Sequence, residues 1–172
     1  MGRNIEIKAH VKDLAAVRSK AAAMASAPGE VIAQIDTFFV VPMGRLKVRE
    51  FSDGSGELIV YARPSIPGLK ESVYSIVRCE EAAALVNALR QALPLRGRVV
   101  KRRELFLSGR TRIHLDEVER LGAFLELEVV LRDDESMDAG EREAQALMEA
   151  LGLSTSALVP DAYIDLLERV AV

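Results

Sequence analysis

Charged side chains that alternate with apolar ones are the feature of this 172-residue sequence most able to do chemistry. In one run, Arg45, Lys47 and Arg49 are separated by Leu46 and Val48. Successive side chains of a β-strand point to opposite faces, so this spacing places the three cations on one side of a strand. Cations aligned in this way can bind a polyanion, and the planar guanidinium of arginine matches the oxygens of a phosphate group.

The same alternation recurs along the chain, and its cations outnumber its acids. Nine basic residues share charged strand faces: Lys8, Arg45, Lys47, Arg49, Arg63, Lys70, Lys101, Arg103 and Arg112. The matching acids are Glu6, Asp116, Glu126 and Glu128, and Glu57 can be added to them. The whole protein has a formal net charge of −3, so this local excess of cations indicates a bound polyanion. An ordinary antiparallel sheet with one solvated face is the alternative.

The acids also differ from the cations in their place along the sequence. They come mainly from the first predicted strand and the last two, whereas the cations lie mostly on the strands between. Carboxylates brought together repel each other unless a divalent cation lies among them, and oxygen ligands suit Mg²⁺ or Mn²⁺. The pattern therefore predicts a metal ion beside a phosphate-bearing ligand.

The elements that position these charges are mostly strands. Eight are predicted, over residues 3–10, 31–40, 44–51, 57–63, 69–77, 98–106, 109–116 and 123–132. Every one except the second carries ionisable groups on one face. Turn-forming segments separate the strands, among them Pro64 to Gly68 and Pro94 to Gly97. Short connections favour antiparallel neighbours, and eight strands can close into a barrel with room for one ligand.

Four helices are predicted, over residues 12–26, 79–93, 138–151 and 160–170. Asp13 is a suitable N-terminal residue for the first helix, and Gly152 a suitable stop for the third. The second has an apolar stripe that can pack on a sheet, made by Ala82, Leu85, Val86 and Leu89. We therefore predict one α+β domain over residues 1–172: an eight-stranded antiparallel β-barrel with a polar interior and helices on its apolar outer face.

Composition excludes several other classes of protein. A net charge of −3 and an isoelectric point near 5.5 argue against binding to nucleic acid or anionic lipid. The single cysteine, Cys79, excludes an intramolecular disulfide framework and favours a reducing, cytoplasmic location. The N-terminus lacks the apolar run of a signal peptide, and no apolar stretch is long enough to span a membrane. We expect a cytoplasmic protein, either a monomer or a homodimer, whose partner is a small molecule.

The strand motifs also resemble those of a known family. The opening Asn-Ile-Glu-Ile-Lys is similar to the Glu-x-Glu-x-Lys signature of the CYTH superfamily, the triphosphate tunnel metalloenzymes, which include class IV adenylyl cyclases and thiamine triphosphatases. The resemblance continues in the family's order through QIDTFF, GRLKVRE, LIVYARP, VVKRRELF, RIHLDEVERLGAFLELEV and DAYIDLL. It implies an eight-stranded tunnel in which basic residues hold a triphosphate and acidic residues hold Mg²⁺ or Mn²⁺.

Carried over position by position, the resemblance implies a set of site residues. The metal ligands are Glu6, Glu126 and Glu128, with Asp116 beside them. The substrate-binding cations are Lys8, Lys47, Arg49, Arg63, Lys70, Lys101, Arg103 and Arg112. We expect Glu6, Lys8 and Arg49 to be catalytic. Asn4 departs from the signature, because an amide stands where the family has its first glutamate, and this change predicts weaker metal binding.

Hydrolysis of a triphosphate-containing substrate is the first function that we expect, with inorganic, thiamine or nucleoside triphosphate as the substrate. A class IV adenylyl cyclase, which converts ATP to cyclic AMP and pyrophosphate, is the alternative, and non-catalytic polyphosphate binding is a third. A cyclase needs a purine pocket, but aromatic residues make up 5% of the chain. Most of them are expected in the core, which favours hydrolysis.

A few other polar residues have less specific interpretations. His10 and His114 are expected to belong to a hydrogen-bonded polar network, and residues 133–135 to form a solvated acidic loop. In the last helix we expect Tyr163 to pack in the core and Asp165 to lie at the surface. The similarity of DAYIDLL to the family places this helix near one mouth of the tunnel.

Overall fold

The strands close into a barrel. The computed structural model describes residues 2–62 and 70–170. Its strands are β1 (Gly2–His10), β2 (Glu30–Phe39), β3 (Arg45–Phe51), β4 (Gly56–Ala62), β5 (Lys70–Cys79), β6 (Leu95–Ser108), β7 (Thr111–Val118) and β8 (Gly122–Leu131). Their order around the closed barrel is β1-β5-β4-β3-β2-β6-β7-β8, and all neighbours are antiparallel. The predicted α+β fold with an eight-stranded antiparallel barrel is confirmed.

Three helices cover the outer face of the barrel. α1 (Leu14–Met24) and α3 (Met137–Leu151) pack on β1, β6, β7 and β8, and α2 (Ala82–Ala92) packs on β3. Under α1 and α3 the outward side chains of the strands form the main core, in which Ile5, Ile113 and Leu127 are fully buried. Because these apolar residues alternate with the charged ones, burying them outside the barrel leaves the charges inside.

A fourth helix, α4 (Tyr163–Val170), lies across one end of the barrel. Its residues Tyr163, Ile164 and Leu167 are buried in a cluster with Phe38 and Phe124, which belong to the ends of strands β2 and β8. The last predicted helix is therefore present and covers a mouth of the tunnel, where the family motif placed it.

Local sequence signals act at the helix ends as predicted. The Asp13 side chain accepts a hydrogen bond of 2.9 Å from the Ala16 amide and so caps the first turn of α1. Gly152 ends α3 in the left-handed conformation with φ of 78°, which glycine adopts without steric cost. The predicted stripe of α2 faces β3, with Ala82 and Val86 buried.

Strand β6 differs from its predicted bounds. It begins at Leu95, so the predicted break from Pro94 to Gly97 is too long. Gly97 pairs with Phe38 beside an irregularity in the β2–β6 ladder. A Cβ atom at Gly97 would lie 2.8 Å from the Ile164 side chain, so the glycine permits the close approach of α4. A glycine read as a turn residue is instead needed for packing.

The predicted solvated loop at residues 133–135 is only partly solvated. Glu135 forms an ion pair with Arg110 of the β6–β7 turn, and its side chain is 11% exposed. Asp133 and Asp134 are exposed as expected. The predicted strand ends at residues 63 and 69, and the turn between them, lie outside the described residues.

The helices of residues 2–62 and 70–170 include none with the length and apolar content of a membrane span. The longest, α3, has 15 residues.

Gly140 in α3 provides a test of how closely this helix approaches the barrel. A Cβ atom there would lie 2.7 Å from Leu131 Cδ2 and 2.8 Å from Ile5 Cγ1. In an exposed helix, Gly→Ala stabilises, but here overpacking outweighs the gain in helix propensity. We expect Gly140→Ala to lower the free energy of unfolding by ~1–3 kcal/mol in urea denaturation. A stabilised variant would contradict the close packing.

Candidate active site

The inward side chains of all eight strands enclose a cavity of about 520 Å³. Cavities of this size hold small organic ligands. Of the residues that the structure describes, its lining includes seven cations, Lys8, Lys47, Arg49, Arg78, Lys101, Arg103 and Arg112, and five acids, Glu6, Asp36, Glu57, Glu126 and Glu128. The described lining therefore has an excess of two positive charges. Asp36 lines the tunnel although the sequence did not predict it, whereas Asp116 and Arg45 do not line it.

Strand register brings acids together on one side of the tunnel, which we call the acidic wall: Glu6, Glu126 and Glu128. Glu126 of β8 lies opposite Lys8 of β1 and opposite His114 of β7. Its carboxylate oxygens lie 3.0 Å from Lys8 Nζ and 2.7 Å from Arg103 of β6. Burial acts to raise the pKa of Glu126, but the charge of Lys8 and that of Arg103 outweigh burial and hold this pKa well below its ordinary value.

Glu128 is the second carboxylate contributed by β8. Glu128 lies opposite Glu6 in the β1–β8 ladder and opposite Arg112 in the β7–β8 ladder. The Arg112 guanidinium lies 2.7 Å from Glu128 Oε2. The other oxygen, Oε1, lies 3.7 Å from His114 Nδ1. Three strands thus place two carboxylates from β8 and one from β1 next to an imidazole.

His114, Glu126 and Glu128 can together hold a metal ion. Each offers one ligand atom, and these atoms lie within 4.8 Å of one another. His114 Nδ1 is buried and has no hydrogen-bond partner. Burial and the positive charge of Arg103 lower the pKa of His114 and so favour its neutral form, in which one ring nitrogen has a lone pair that can bind a metal. This donor set fits a divalent cation.

Asp36 of β2 organises the opposite side of the tunnel, which we call the cationic wall: Lys47, Arg49, Lys101 and Arg103. Arg49 of β3 lies directly across the ladder from Asp36 and donates two hydrogen bonds to it, of 2.8 and 3.0 Å. Lys47 Nζ donates a third at 2.7 Å, and Lys101 Nζ lies 3.8 Å away. One buried carboxylate therefore holds three cations at fixed positions.

The pKa values of this cluster reflect burial and charge. Burial would raise the pKa of Asp36, but the charges of Arg49 and Lys47 keep it well below its usual range. For Lys47, burial and the repulsion of Arg49 outweigh the attraction of Asp36 and lower the pKa to about 7. Lys47 is therefore a cation whose charge changes near neutral pH.

Asp116 holds Arg103 on the cationic wall. The two residues face each other across the β6–β7 ladder and share two hydrogen bonds, of 2.7 and 2.6 Å. Tyr163 of α4 donates a third hydrogen bond to Asp116, of 2.9 Å. Asp116 was predicted as a metal ligand, but it is fully buried and its carboxylate is hydrogen-bonded to Arg103 and Tyr163. It is not part of the possible metal-binding group around His114.

Helix α4 also contributes directly to the closed end of the tunnel. The ring of Tyr163 lines the cavity and lies 4.2 Å from Lys8 Nζ, within the range of a cation–π contact. Tyr163 thus does more than pack in the core. Asp165 is not a surface residue either, because it accepts hydrogen bonds from Arg45, Arg96 and the Ala162 amide. These bonds fasten the start of α4 to strands β3 and β6.

The remaining predicted site residues have varied positions. Asn4 lies in β1 and lines the tunnel, and its buried Oδ1 has no hydrogen-bond partner. Lys70 begins β5 and pairs with Glu6 through the backbone. The Lys70 side chain and the whole of Arg63 lie outside the described residues.

Sequence reasoning missed Asp36, and it favoured a polar network over a metal site for His114. Asp36 lies on the second strand, which was predicted to carry no ionisable group on its faces, yet Gln34, Asp36 and Phe38 share the tunnel side by simple alternation. The period-2 spacing was thus a signal for Asp36 that the sequence already contained.

Most of the eight aromatic residues are buried in the core, as predicted: Phe38, Phe39, Phe106, Phe124 and Tyr163. Phe38 and Tyr163 also line the tunnel, together with Phe51, Tyr61 and Tyr74. Aromatic surface is therefore available inside the tunnel beside the charges.

One protein-family model matches most of the chain. The model of the CYTH domain matches residues 2–163, so the chain belongs to the CYTH family. No curated protein matches it in sequence.

Solved structures share the barrel at low sequence identity. The PH1012 protein of Pyrococcus horikoshii OT3 is 21% identical, with a TM-score of 0.80 over 94% of this chain and 98% of that one. A candidate adenylate cyclase from Vibrio parahaemolyticus is also 21% identical, with a TM-score of 0.79 over 98% and 99%. The candidate adenylyl cyclase HpAC1 from Hippeastrum has a dominant triphosphatase activity. It is 11% identical to this chain, with a TM-score of 0.64 over 89% of each chain. At these identities the likeness is one of fold.

Removing the charge of Asp36 tests its role in the cationic wall. We expect Asp36→Asn to lower the free energy of unfolding by ~3–5 kcal/mol in urea denaturation, because three neighbouring cations lose their buried carboxylate. Adding Lys47→Met to this variant should recover part of the loss. Glu117→Gln is the control, since its ion pair with Arg102 is half exposed and should contribute less than ~1 kcal/mol. Equal losses in Asp36→Asn and Glu117→Gln would contradict the assignment.

Proposed function

We propose that this protein is a metal-dependent phosphohydrolase that cleaves a triphosphate-containing substrate inside the barrel. The observation that carries the proposal is a cationic wall facing an acidic wall within one cavity of about 520 Å³. Inorganic, thiamine and nucleoside triphosphates all carry the anionic chain that such a wall would bind. Membership of the CYTH family supports the same reaction class.

The cationic wall is suited to bind the phosphates. Phosphoryl transfer depends mainly on positioning and on neutralising charge at the phosphate oxygens. The planar guanidinium groups of Arg49 and Arg103 are already oriented by hydrogen bonds to Asp36 and Asp116. The ammonium groups of Lys47 and Lys101 add two further positive charges to the same wall. Because these side chains sit on paired strands, they need little reorganisation when the substrate enters.

The acidic wall and His114 are suited to hold Mg²⁺ or Mn²⁺. Glu126 and Glu128 supply carboxylate oxygens, Glu6 faces Glu128 across the β1–β8 ladder, and the unpaired His114 Nδ1 adds a nitrogen donor. A bound divalent ion supplies a Lewis acid that neutralises phosphate charge and lowers the pKa of water.

The two walls are linked by shared side chains. Lys8 and Arg103 both contact Glu126, and Arg112 contacts Glu128. Phosphate oxygens that attract these cations release carboxylate oxygens for a metal ion, so the two ligands should favour each other's binding. Such coupling is reciprocal by thermodynamic necessity.

Adenylyl cyclase activity is a second candidate. It is favoured by Phe51 and Tyr74, which line the tunnel and can stack on a base. In this reaction a ribose hydroxyl replaces water as the nucleophile, and pyrophosphate leaves.

Product analysis separates hydrolysis from cyclisation. The purified protein is incubated with tripolyphosphate, thiamine triphosphate or ATP, each with Mg²⁺ and with Mn²⁺. Orthophosphate, pyrophosphate and cyclic AMP are then measured in the same samples. We expect orthophosphate without cyclic AMP. Cyclic AMP with matching pyrophosphate would assign the cyclase reaction, and tight binding without products would leave a phosphate-binding protein.

Variants of both walls test the assignment of the site. We expect Arg49→Ala and Glu126→Gln each to reduce turnover of the preferred triphosphate at least ~100-fold, because each removes a buried charge from the reacting centre. Circular dichroism checks that the fold is retained, and Arg102→Ala, which removes a half-exposed cation, is the matched control. Near-normal activity in both wall variants would contradict the site.

The low pKa of Lys47 predicts a pH effect on binding. Above about pH 7 the free protein loses the Lys47 proton, so triphosphate binding must recover it. We expect net proton uptake on binding at pH 8, measured by calorimetry in buffers of different ionisation enthalpy. Lys47→Arg keeps its charge at this pH and should take up fewer protons. Equal uptake by both proteins would show that Lys47 is already protonated.

A further inference from the structure

We propose that His114 is a direct metal ligand through Nδ1, so that the cation in the tunnel is bound by one nitrogen and two carboxylates. Such a site favours a first-row divalent transition cation over Mg²⁺. The inference deepens the proposed function and depends on it only in requiring that a cation enters the tunnel.

The first observation is the unpaired nitrogen. His114 is 3% exposed, and its Nδ1 is buried without a hydrogen-bond partner. A buried polar atom normally has a partner, because losing water without replacement is unfavourable. A metal ion would supply the missing partner for an atom that already faces two carboxylates.

The second observation is the spacing. Nδ1 lies 3.7 Å from Glu128 Oε1 and 3.8 Å from Glu126 Oε2. These distances are too long for hydrogen bonds. Two ligand atoms that bind one cation through bonds of ~2.1 Å are separated by no more than ~4.2 Å. His114 Nδ1 and each of the two carboxylate oxygens therefore have the separation of ligands around a shared ion.

The third observation is the rigidity of the support. His114 and Glu126 are direct partners in the β7–β8 ladder, and Glu128 follows two residues later on the same face. On the opposite face, Ile113 and Leu115 are buried in the main core. Arg112 contacts the other oxygen of Glu128, Oε2, so its ion pair uses an oxygen different from the one that is nearest to His114.

The chemistry of the donors determines the class of cation. Mg²⁺ prefers oxygen ligands and retains several waters, whereas imidazole suits first-row transition metals. For mixed nitrogen and oxygen donors, affinity rises from Mn²⁺ through Fe²⁺ to Co²⁺. We therefore expect affinity for the free cation to increase from Mg²⁺ to Mn²⁺ to Co²⁺.

Nitrogen coupling to bound Mn²⁺ tests the ligand directly. The chain has two histidines, so an imidazole signal comes either from His114 or from His10. Electron spin-echo spectra of the Mn²⁺-loaded protein should contain ¹⁴N modulation that changes to the ¹⁵N pattern after labelling with ¹⁵N-histidine. The modulation should persist in His10→Gln and disappear in His114→Gln.

Affinity gives a second readout without turnover. We expect the Mn²⁺ dissociation constant to rise by ~10–100-fold in His114→Gln, the range seen when supporting groups of metal sites are removed. The Mg²⁺ constant should change much less, so the preference for Mn²⁺ over Mg²⁺ falls. His10→Gln should leave both constants unchanged.

The failure of this inference can be told apart from failure of the proposed function. Bound Mn²⁺ without histidine coupling, or coupling lost in His10→Gln alone, would overturn the role of His114 even if the wild-type protein hydrolyses triphosphate. Coupling from His114 in a protein that releases no phosphate would support the ligand and overturn the hydrolase. The labelled wild-type protein and His10→Gln decide the question even if His114→Gln does not fold.

Discussion

The pairing of buried opposite charges inside a closed barrel is the constraint on which the rest of this structure depends. A buried charge without a partner is strongly unfavourable, so the most buried carboxylates meet cations at hydrogen-bonding distance. Asp36 meets Arg49 and Lys47, and Glu126 meets Lys8 and Arg103. These pairs fix the positions of the side chains that we propose to bind phosphate before any ligand arrives.

The architecture provides this arrangement by separating two environments. Apolar residues on the outer face of most strands are buried under α1, α2 and α3, whereas Val60 of β4 and Val77 of β5 are exposed. Polar residues of the same strands face the tunnel. Helix α4 covers one end, where Tyr163 joins the buried network through Asp116. Core packing and the site are therefore two faces of the same strands, and a shift of one residue in register would exchange them.

The cations of the cationic wall are already paired with a carboxylate, and this affects which ligands can bind. Asp36 already satisfies three cations of the cationic wall, so an anion must compete with a carboxylate for them. A singly charged anion gains little from this exchange, whereas a triphosphate offers several charges to several cations at once. The family match supports this type of ligand, and the aromatic residues in the tunnel provide surface for an organic group.

Period-2 alternation is a local property, so the eight strands, the α+β class and the face on which Lys8, Arg49 and Glu126 lie could all be predicted from the sequence. It could not determine which charges meet, since the pairing of β2 with β6 and of β1 with β8 joins segments far apart in the chain. The pairing of β1 with β8 placed Lys8 beside Glu126. The registers of the β6–β7 and β7–β8 hairpins made Asp116 a partner of Arg103 and left His114 Nδ1 beside two glutamates. Strand register decided the roles of these charged residues, because alternation fixes the face on which a side chain lies but not the residue opposite it.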